Sequence, residues 1–197
     1  TMRSEFRSLI KPTNHWFVSF DYNGAEIRTF LALSGHSQPE EDIHLWNMRH
    51  LYGDIPIDRE EAKVRFFSSF YNHHDSSLDG SVYDKAHVLE NYYDGGFART
   101  KFKREILVDE FKAFNYIIQS TTADLTIDRA VALDKALQNT KSKVAFIIHD
   151  EIVLDIHEDD RARIPKLKET FQQNKLDMFK ANVKAGNDFG KMKDLRI

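Results

Sequence analysis

Two strand ends that carry carboxylates, far apart in the chain, are the residues best suited to chemistry. His149-Asp150-Glu151 stands between two apolar, β-prone runs, Val144 to Ile148 and Ile152 to Ile156. That pattern predicts a hairpin with carboxylates at its tip. Burying both flanks while holding Asp150 beside Glu151 is electrostatically costly unless a cation offsets the repulsion. Upstream, the run Trp16-Phe17-Val18-Ser19-Phe20 ends on a third carboxylate, Asp21. Two strand-end aspartates are what a two-metal phosphoryl-transfer centre requires, because Mg²⁺ takes hard oxygen ligands and the paired metals lie about 3.5–4 Å apart. By itself the tripeptide more often marks an acidic turn; the remaining segments tip the balance.

A second constellation follows Pro56. Arg59, Lys63, Phe67 and Tyr71 recur every four positions, which lines them along one slowly drifting stripe of a helix. Two cations followed by two aromatics make a poor core stripe, since the cations would have to be desolvated. They make a good surface for a nucleotide, with cations for the triphosphate and rings for the base and sugar. The plainer alternative is a surface helix whose aromatic half enters the core. Further on, Asn115, Gln119 and Thr122 share a helix face, where amides can donate to the minor-groove acceptors that every base pair offers; an ordinary helix–helix hydrogen bond is the alternative. The basic clusters Arg59/Lys63/Arg65, Lys101/Lys103/Arg104 and Lys141/Lys143 each read, one at a time, as solvated faces. His73-His74-Asp75 reads as a solvated loop rather than a metal site.

The elements that must position these residues form one unit without repeats or linkers. Asn23 with Glu26 has the spacing of a capping box opening a helix whose stripe is Ile27, Phe30, Leu31 and Leu33, ended by Gly35. Asp42 to Tyr52 is a short helix. Asp58 with Glu61 is a second capping box, and its helix runs to about Tyr71. His73 to Ser81 is a loop, Asp84 to Tyr93 a helix, Phe97 to Ile106 a strand or extended pair, and Asp109 to Asn139 one long helix. After the hairpin comes a helix from about Asp159 to Lys175, with Pro165 calling for a later start or a kink. A short strand at Ala181 to Lys184 joins the sheet. Hairpin and long helices segregated in this way predict an α+β fold, a sheet backed by helices.

Composition narrows the class. The 197 residues suffice for a real core, with 41% hydrophobic and 30% charged residues. The chain has no cysteine, which excludes disulfides and thiolate metal sites and suits a reducing compartment. No apolar run approaches the roughly 20 residues of a membrane span, and a signal-peptide core is lacking. A net charge of −3 lacks the basic excess usual in nucleic-acid binders. An acidic catalytic centre masks local basic stripes in such a sum.

Taken in order, these segments resemble the family A DNA polymerases, the bacterial polymerase I group. Asp21-Tyr22-Asn23-Gly24-Ala25-Glu26-Ile27-Arg28 is similar to motif A. Arg59, Lys63, Phe67 and Tyr71 match the spacing of the motif B helix. Phe114 to Leu125 looks like the palm helix, His149-Asp150-Glu151 stands as motif C, and Asp42-Ile43-His44 resembles the segment between motifs A and B.

The resemblance implies an antiparallel palm sheet over about residues 1–52 and 107–197, with reduced helical fingers over about 53–106. It implies two Mg²⁺ ions, with Mn²⁺ as an alternative, bound by Asp21, Asp150 and the backbone carbonyl of Tyr22, and Glu151 as an auxiliary carboxylate near the primer end. Glu26 is then the steric gate against a ribose 2′-hydroxyl. Arg59 and Lys63 hold the triphosphate, with Lys63 as proton donor to pyrophosphate, while Phe67 stacks on the nucleotide and Tyr71 lies beside the nascent pair. Asn115, Gln119 and His149 contact primer-template DNA.

The pattern also departs from the family. Phe66, Ser68, Ser69 and Asn72 stand where an Asn and glycines are usual, and Ser120 replaces a Gly. The thumb and exonuclease are absent from the matched segments. The expectation is therefore a fragment, or a split polymerase whose second chain carries the thumb and exonuclease; Met2, preceded by a single Thr1, suits a natural start. The implied setting is cytoplasmic, a bacterial nucleoid or a phage-infected cell, with no membrane partner. A non-catalytic or assembly subunit that retains the fold is the alternative, and a two-metal nuclease a third reading that leaves the Arg59–Tyr71 stripe unexplained.

Overall fold

The computed structural model describes residues 3–53, 55–72, 75, 77–78 and 81–197. His73 and His74, part of the weak metal candidate, and Thr1 and Met2 lie outside them. The chain divides into two compact units, one of residues 1–22, 125–174 and 181–197 and one of residues 23–124 and 175–180.

The first unit is built on a five-stranded antiparallel sheet. Its strands are β1 (Trp16–Tyr22), β4 (Lys143–Ile148), β5 (Glu151–Ile156), β6 (Ala181–Gly186) and β7 (Lys193–Asp194), ordered β4-β5-β1-β6-β7. β1 is central, which its apolar run demands: Phe17 to Phe20 are all buried. Alternation then sorts the side chains, so that Val18, Phe20 and Tyr22 share one face and Phe17, Ser19 and Asp21 the other. On the first face the ring of Phe171 stacks on Phe20 and on Tyr22, at centroid distances of 5.7 and 4.1 Å. The Tyr22 hydroxyl donates to the Phe171 carbonyl at 2.7 Å, satisfying a buried polar group at the edge of the core. Phe171 belongs to α6 (Ile164–Gln172).

The buried Asp155 carboxylate accepts the N–H groups of Thr13 and Asn14, each at 2.9 Å, and so fixes how the chain enters β1. Asp160 does the same before β4, accepting from the N–H of Lys141 and of Ser142 at 3.0 Å.

The second unit is helical. It contains α1 (Ala25–Leu33), α2 (Ile43–Tyr52), α3 (Arg59–Tyr71), α4 (Lys85–Tyr92), the two-stranded pair β2 (Phe97–Arg99) and β3 (Glu105–Leu107), and the first half of α5 (Glu110–Ala136), whose second half belongs to the sheet unit. Its core is an aromatic nest in which Phe30 meets Phe70, Tyr83 and Phe114 at 5.7, 5.1 and 4.8 Å. Edge-on and tilted pairs of this kind add roughly 0.5–1.5 kcal/mol each beyond the area they bury. Arg28 is fully buried, yet its guanidinium donates to the carbonyls of Asn23, Pro39 and Glu41 at 2.8, 2.9 and 2.7 Å. Those carbonyls hold the segment that leads into α2, and burial lowers the Arg28 pKa to about 10.

Three expectations need correction. Asn23 does not cap α1; the cap position is Gly24, with φ 70° and no side-chain cap bond. The Asn23 side chain instead donates to Asp42 at 2.8 Å and accepts from the N–H of Ile43 at 2.8 Å, so partners 19 and 20 residues away outcompete the local box. The helix expected from about Asp159 to Lys175 takes the later start that Pro165 called for, at Ile164 after a 3-10 turn over Glu158–Arg163, and ends earlier, at Gln172. Thr122 faces inward, bonded to Thr29 at 2.9 Å, so it does not extend the exposed amide face of α5. A Ser4–Leu9 3-10 helix and the two-residue β7 carried no sequence signal.

Candidate active site

Register brings the sheet carboxylates together. Asp21 is the cross-strand partner of Glu151 on β5 and of Asn182 on β6, and directly opposed residues share a face. Asp150 precedes Glu151 in a two-residue turn, His149-Asp150, closed by the pairing of Ile148 with Glu151. Such turns demand positive φ. Here the residue is His149, with φ 55°, where Gly or Asn would be less strained.

Burial and mutual repulsion set the electrostatics of these carboxylates. The Asp21 carboxyl is pushed up to about 6, first by burial and then by the charges of Asp150 and Glu151, against a hydrogen bond from Asn182 and the charge of Lys184. Burial raises the Asp150 carboxyl as well. A divalent cation would remove this repulsion, and the donors are all hard oxygen, as Mg²⁺ prefers. The residues therefore fit the metal. The Tyr22 side chain turns to the opposite face of the sheet, so its backbone carbonyl is the only group it could offer here. Among the described residues no group of three or more His, Cys, Asp or Glu side chains is arranged as a metal cage, so the fit rests on the aspartate pair and that carbonyl.

The helical unit holds the remaining predicted residues. Asp58 caps α3, accepting the Glu61 N–H at 2.8 Å, and the stripe Arg59, Lys63, Phe67, Tyr71 follows in the expected register. Arg59 makes a two-pronged contact with Asp42, Nε to Oδ1 at 3.1 Å and Nη2 to Oδ2 at 2.8 Å, and also pairs with Glu60. Lys63 is half-buried and makes no ion pair among the described residues. Phe67 stacks on Tyr71 at 5.8 Å. The Tyr71 hydroxyl bonds both to Glu26 and to Gln119, which brings three of the predicted residues, from α1, α3 and α5, into contact. Burial first and Glu26 next push the Tyr71 hydroxyl up to about 12. On α5, Gln119 is exposed and Asn115 half-buried.

Two residues that were given no role of their own have a place at these sites. His44, 5% exposed, lies 6.3 Å from the Phe67 ring, and its Nδ1 has no hydrogen-bond partner among the described residues. Burial and then the charge of Arg59 hold its pKa down. In the sequence it stood out only within Asp42-Ile43-His44, the segment that resembles the one between motifs A and B. Asn182 sat in an unremarkable short strand, and only the β1–β6 register assigns it to Asp21.

Comparison with known proteins agrees with this geometry. No family model matches the chain. It is 25% identical to the thermostable DNA polymerase I of Thermus thermophilus over 82% of its own length and 25% of that protein's. It is 27% identical to the DNA polymerase of Mycobacterium phage D29, over 76% of the chain and 30% of the relative. The chain thus spans about a quarter of the length of the curated relatives it matches. Among solved structures it resembles the POL domain of Pol1 from M. smegmatis in complex with DNA primer-template and dNTP, with a TM-score of 0.77 at 19% identity, covering 95% of this chain and 42% of that one. The resemblance to the polymerase I group thus extends over most of the chain, and the fold is α+β with an antiparallel sheet backed by helices, like a polymerase domain.

Proposed function

We propose that the chain is the catalytic portion of a DNA-directed DNA polymerase, which adds deoxynucleotides to a primer 3′-end on a template. The observation that carries the reading is the row Glu151–Asp21–Asn182 with Asp150 beside it, a set of half-buried carboxylates whose repulsion raises the Asp21 pKa. Asp21, Asp150 and the Tyr22 carbonyl would hold two Mg²⁺ ions, or Mn²⁺, and these would supply Lewis acidity toward the attacking 3′-oxygen and the leaving phosphate. Glu151 serves as an auxiliary carboxylate at the primer end.

The chain's other groups position the substrates. Arg59 exchanges its Glu60 partner for the triphosphate, keeping Asp42 as its anchor. Lys63 donates a proton to the departing pyrophosphate, and Phe67 stacks on the incoming base. Glu26, steadied by Tyr71, occupies the space a 2′-hydroxyl would need. Asn115, Gln119 and His149 contact the primer-template. Most of the acceleration in such a reaction comes from positioning and charge stabilisation rather than covalent chemistry.

In this reading residues of about 1–52 and 107–197 form the palm, and those of about 53–106 the fingers. A second polymerase chain bearing the thumb and exonuclease would complete the assembly; Phe6 and Leu9, 49% and 74% exposed, are apolar surface it could cover. Ile10 is not part of that surface, being packed against Phe17, Val153 and Phe189. No helix among the described residues is long and apolar enough to cross a membrane; the setting proposed with this function is the cytoplasm of a bacterium or a phage-infected cell. Primer extension by the full assembly with Mg²⁺, compared with Asp150→Ala, tests the reading. Extension surviving Asp150→Ala would refute it.

A further inference from the structure

The β2–β3 hairpin carries cations for which the roles above have no use. Its tip, Thr100 to Arg104, is unusually well tied for five residues. The Thr100 Oγ1 accepts from the N–H groups of Phe102 and Arg104, both at 3.2 Å. The Thr100 N–H donates to the Arg104 carbonyl and the Lys103 N–H to the Thr100 carbonyl, both at 2.9 Å. Lys103 takes φ 68° to make the reversal, a conformation that costs a non-glycine residue energy. The tip is also fastened from outside. Arg104 bonds the Asp124 carboxylate at 2.9 Å and the Ser120 carbonyl at 3.1 Å, and the Lys175 ammonium lies 4.9 Å from the centre of the Phe102 ring.

The charges on this frame divide into two kinds. Arg99 is paired with Asp94 and Glu105, and Arg104 with Asp124. Lys101 and Lys103, by contrast, are exposed and meet no carboxylate among the described residues. A rigid, strained turn that holds two unpaired ammonium groups outward is a poor device for solvation alone, which any flexible loop provides. It suits a repeating anion. Its anchors, Ser120 and Asp124, lie within five residues of Gln119 on the same helix, the residue assigned to DNA on the polymerase reading.

We propose that the Lys101–Lys103 tip is a backbone-phosphate contact for the DNA this chain binds, an inference that rests on that reading. Contacts of this kind set position and affinity without reading sequence. Each neutralised phosphate releases condensed counterions, so the contact has a signature in salt dependence.

The test is fluorescence anisotropy with the full 197-residue chain, on a primer-template duplex and separately on a single strand, over about 50–200 mM salt. The double variant Lys101→Gln/Lys103→Gln should flatten the slope of log affinity against log salt by about 1.8 on duplex, or about 1.4 if the single strand is what the tip engages. Lys101→Arg/Lys103→Arg should restore it. Lys166→Gln/Lys168→Gln on α6, an equal change in net charge, should leave the slope alone. Both lysines of the tip are exposed, so thermal melts should match wild type. An unchanged slope in the tip variant while wild type binds would overturn the tip contact and leave the polymerase reading intact. An equal fall in the α6 control would overturn it too, as a diffuse charge effect. Failure of wild type to bind either DNA even at about 50 mM salt would overturn the tip contact, while the polymerase reading is decided separately by the extension assay.

Discussion

Glu26 shows how much a single side chain depends on its neighbours. Its carboxylate is held by the Tyr71 hydroxyl, so the gate proposed for α1 would be aimed by a residue on α3. Steric exclusion discriminates far more sharply than a missing contact. Glu26→Ala should therefore raise ribonucleotide incorporation by orders of magnitude in single-nucleotide extension assays, and Tyr71→Phe, which keeps the carboxylate but frees it, by much less. Unchanged sugar selectivity in Glu26→Ala would place the gate elsewhere. Asn182 hydrogen-bonds Asp21 and, at the proposed metal site, would act on it in a comparable way, as a positioning residue. Hydrogen-bond partners of ligating carboxylates are commonly worth roughly 10–100-fold in metal affinity. Asn182→Ala should weaken Mn²⁺ binding by about that factor, as read by electron paramagnetic resonance, with little change in the melting temperature. Equal Mn²⁺ affinity in the two proteins would reduce Asn182 to an ordinary strand residue.

At the scale of elements, Asp42 ties three segments together. It caps α2 through the N–H groups of His44 and Leu45, accepts from Asn23, and receives the Arg59 fork from α3. Burial alone would raise its pKa, but the bonds from Arg59, Asn23 and Leu45 outweigh it and hold the carboxyl well below its ordinary 3.8. A depressed acid stabilises the fold fully above the unfolded value and loses that contribution as pH falls through the folded one. Asp42→Ala should thus cost about 1–2 kcal/mol in urea melts at neutral pH. The gap from wild type should narrow steadily as pH drops below 3.8; a gap that stays constant into acid would refute the charge-based account.

The same residue explains what the sequence could reveal. Asp58 and Glu61 were legible because every partner lies within one turn. Asn23 and Glu26 present the same spacing, yet Asn23 is claimed by Asp42 and Ile43, and nothing local announces that. The carboxylate row was legible only as two strand ends. That Asn182 completes it depends on register between strands 160 residues apart, which no short pattern encodes.

For the whole molecule, the proposed dependence on a thumb-bearing partner has a kinetic corollary. Binding primer-template with few phosphate contacts forfeits counterion release, and several missing contacts together change affinity by about 10³ or more at moderate salt. The chain alone should extend primers slowly or not at all near physiological salt. A thumb-bearing partner should restore extension, and Asp150→Ala should abolish it. Rapid extension by the isolated chain, lost in that variant, would show that no partner is needed.

The sheet also carries a consequence for how the molecule is made. Its central strand, β1, bonds only to β5 and β6, which begin at residues 151 and 181. At a synthesis rate of about 5–20 residues per second, a ribosome needs roughly 7–25 s after completing Asp21 to reach Glu151. Throughout that interval the apolar run holding Phe17, Val18 and Phe20 has neither of its native strand partners, and an apolar segment with unpaired edges is prone to pair with another nascent chain. The sheet that gathers the carboxylates is therefore the last part able to form, and yield in the cell should depend on a holdase during translation more than on the stability of the finished fold.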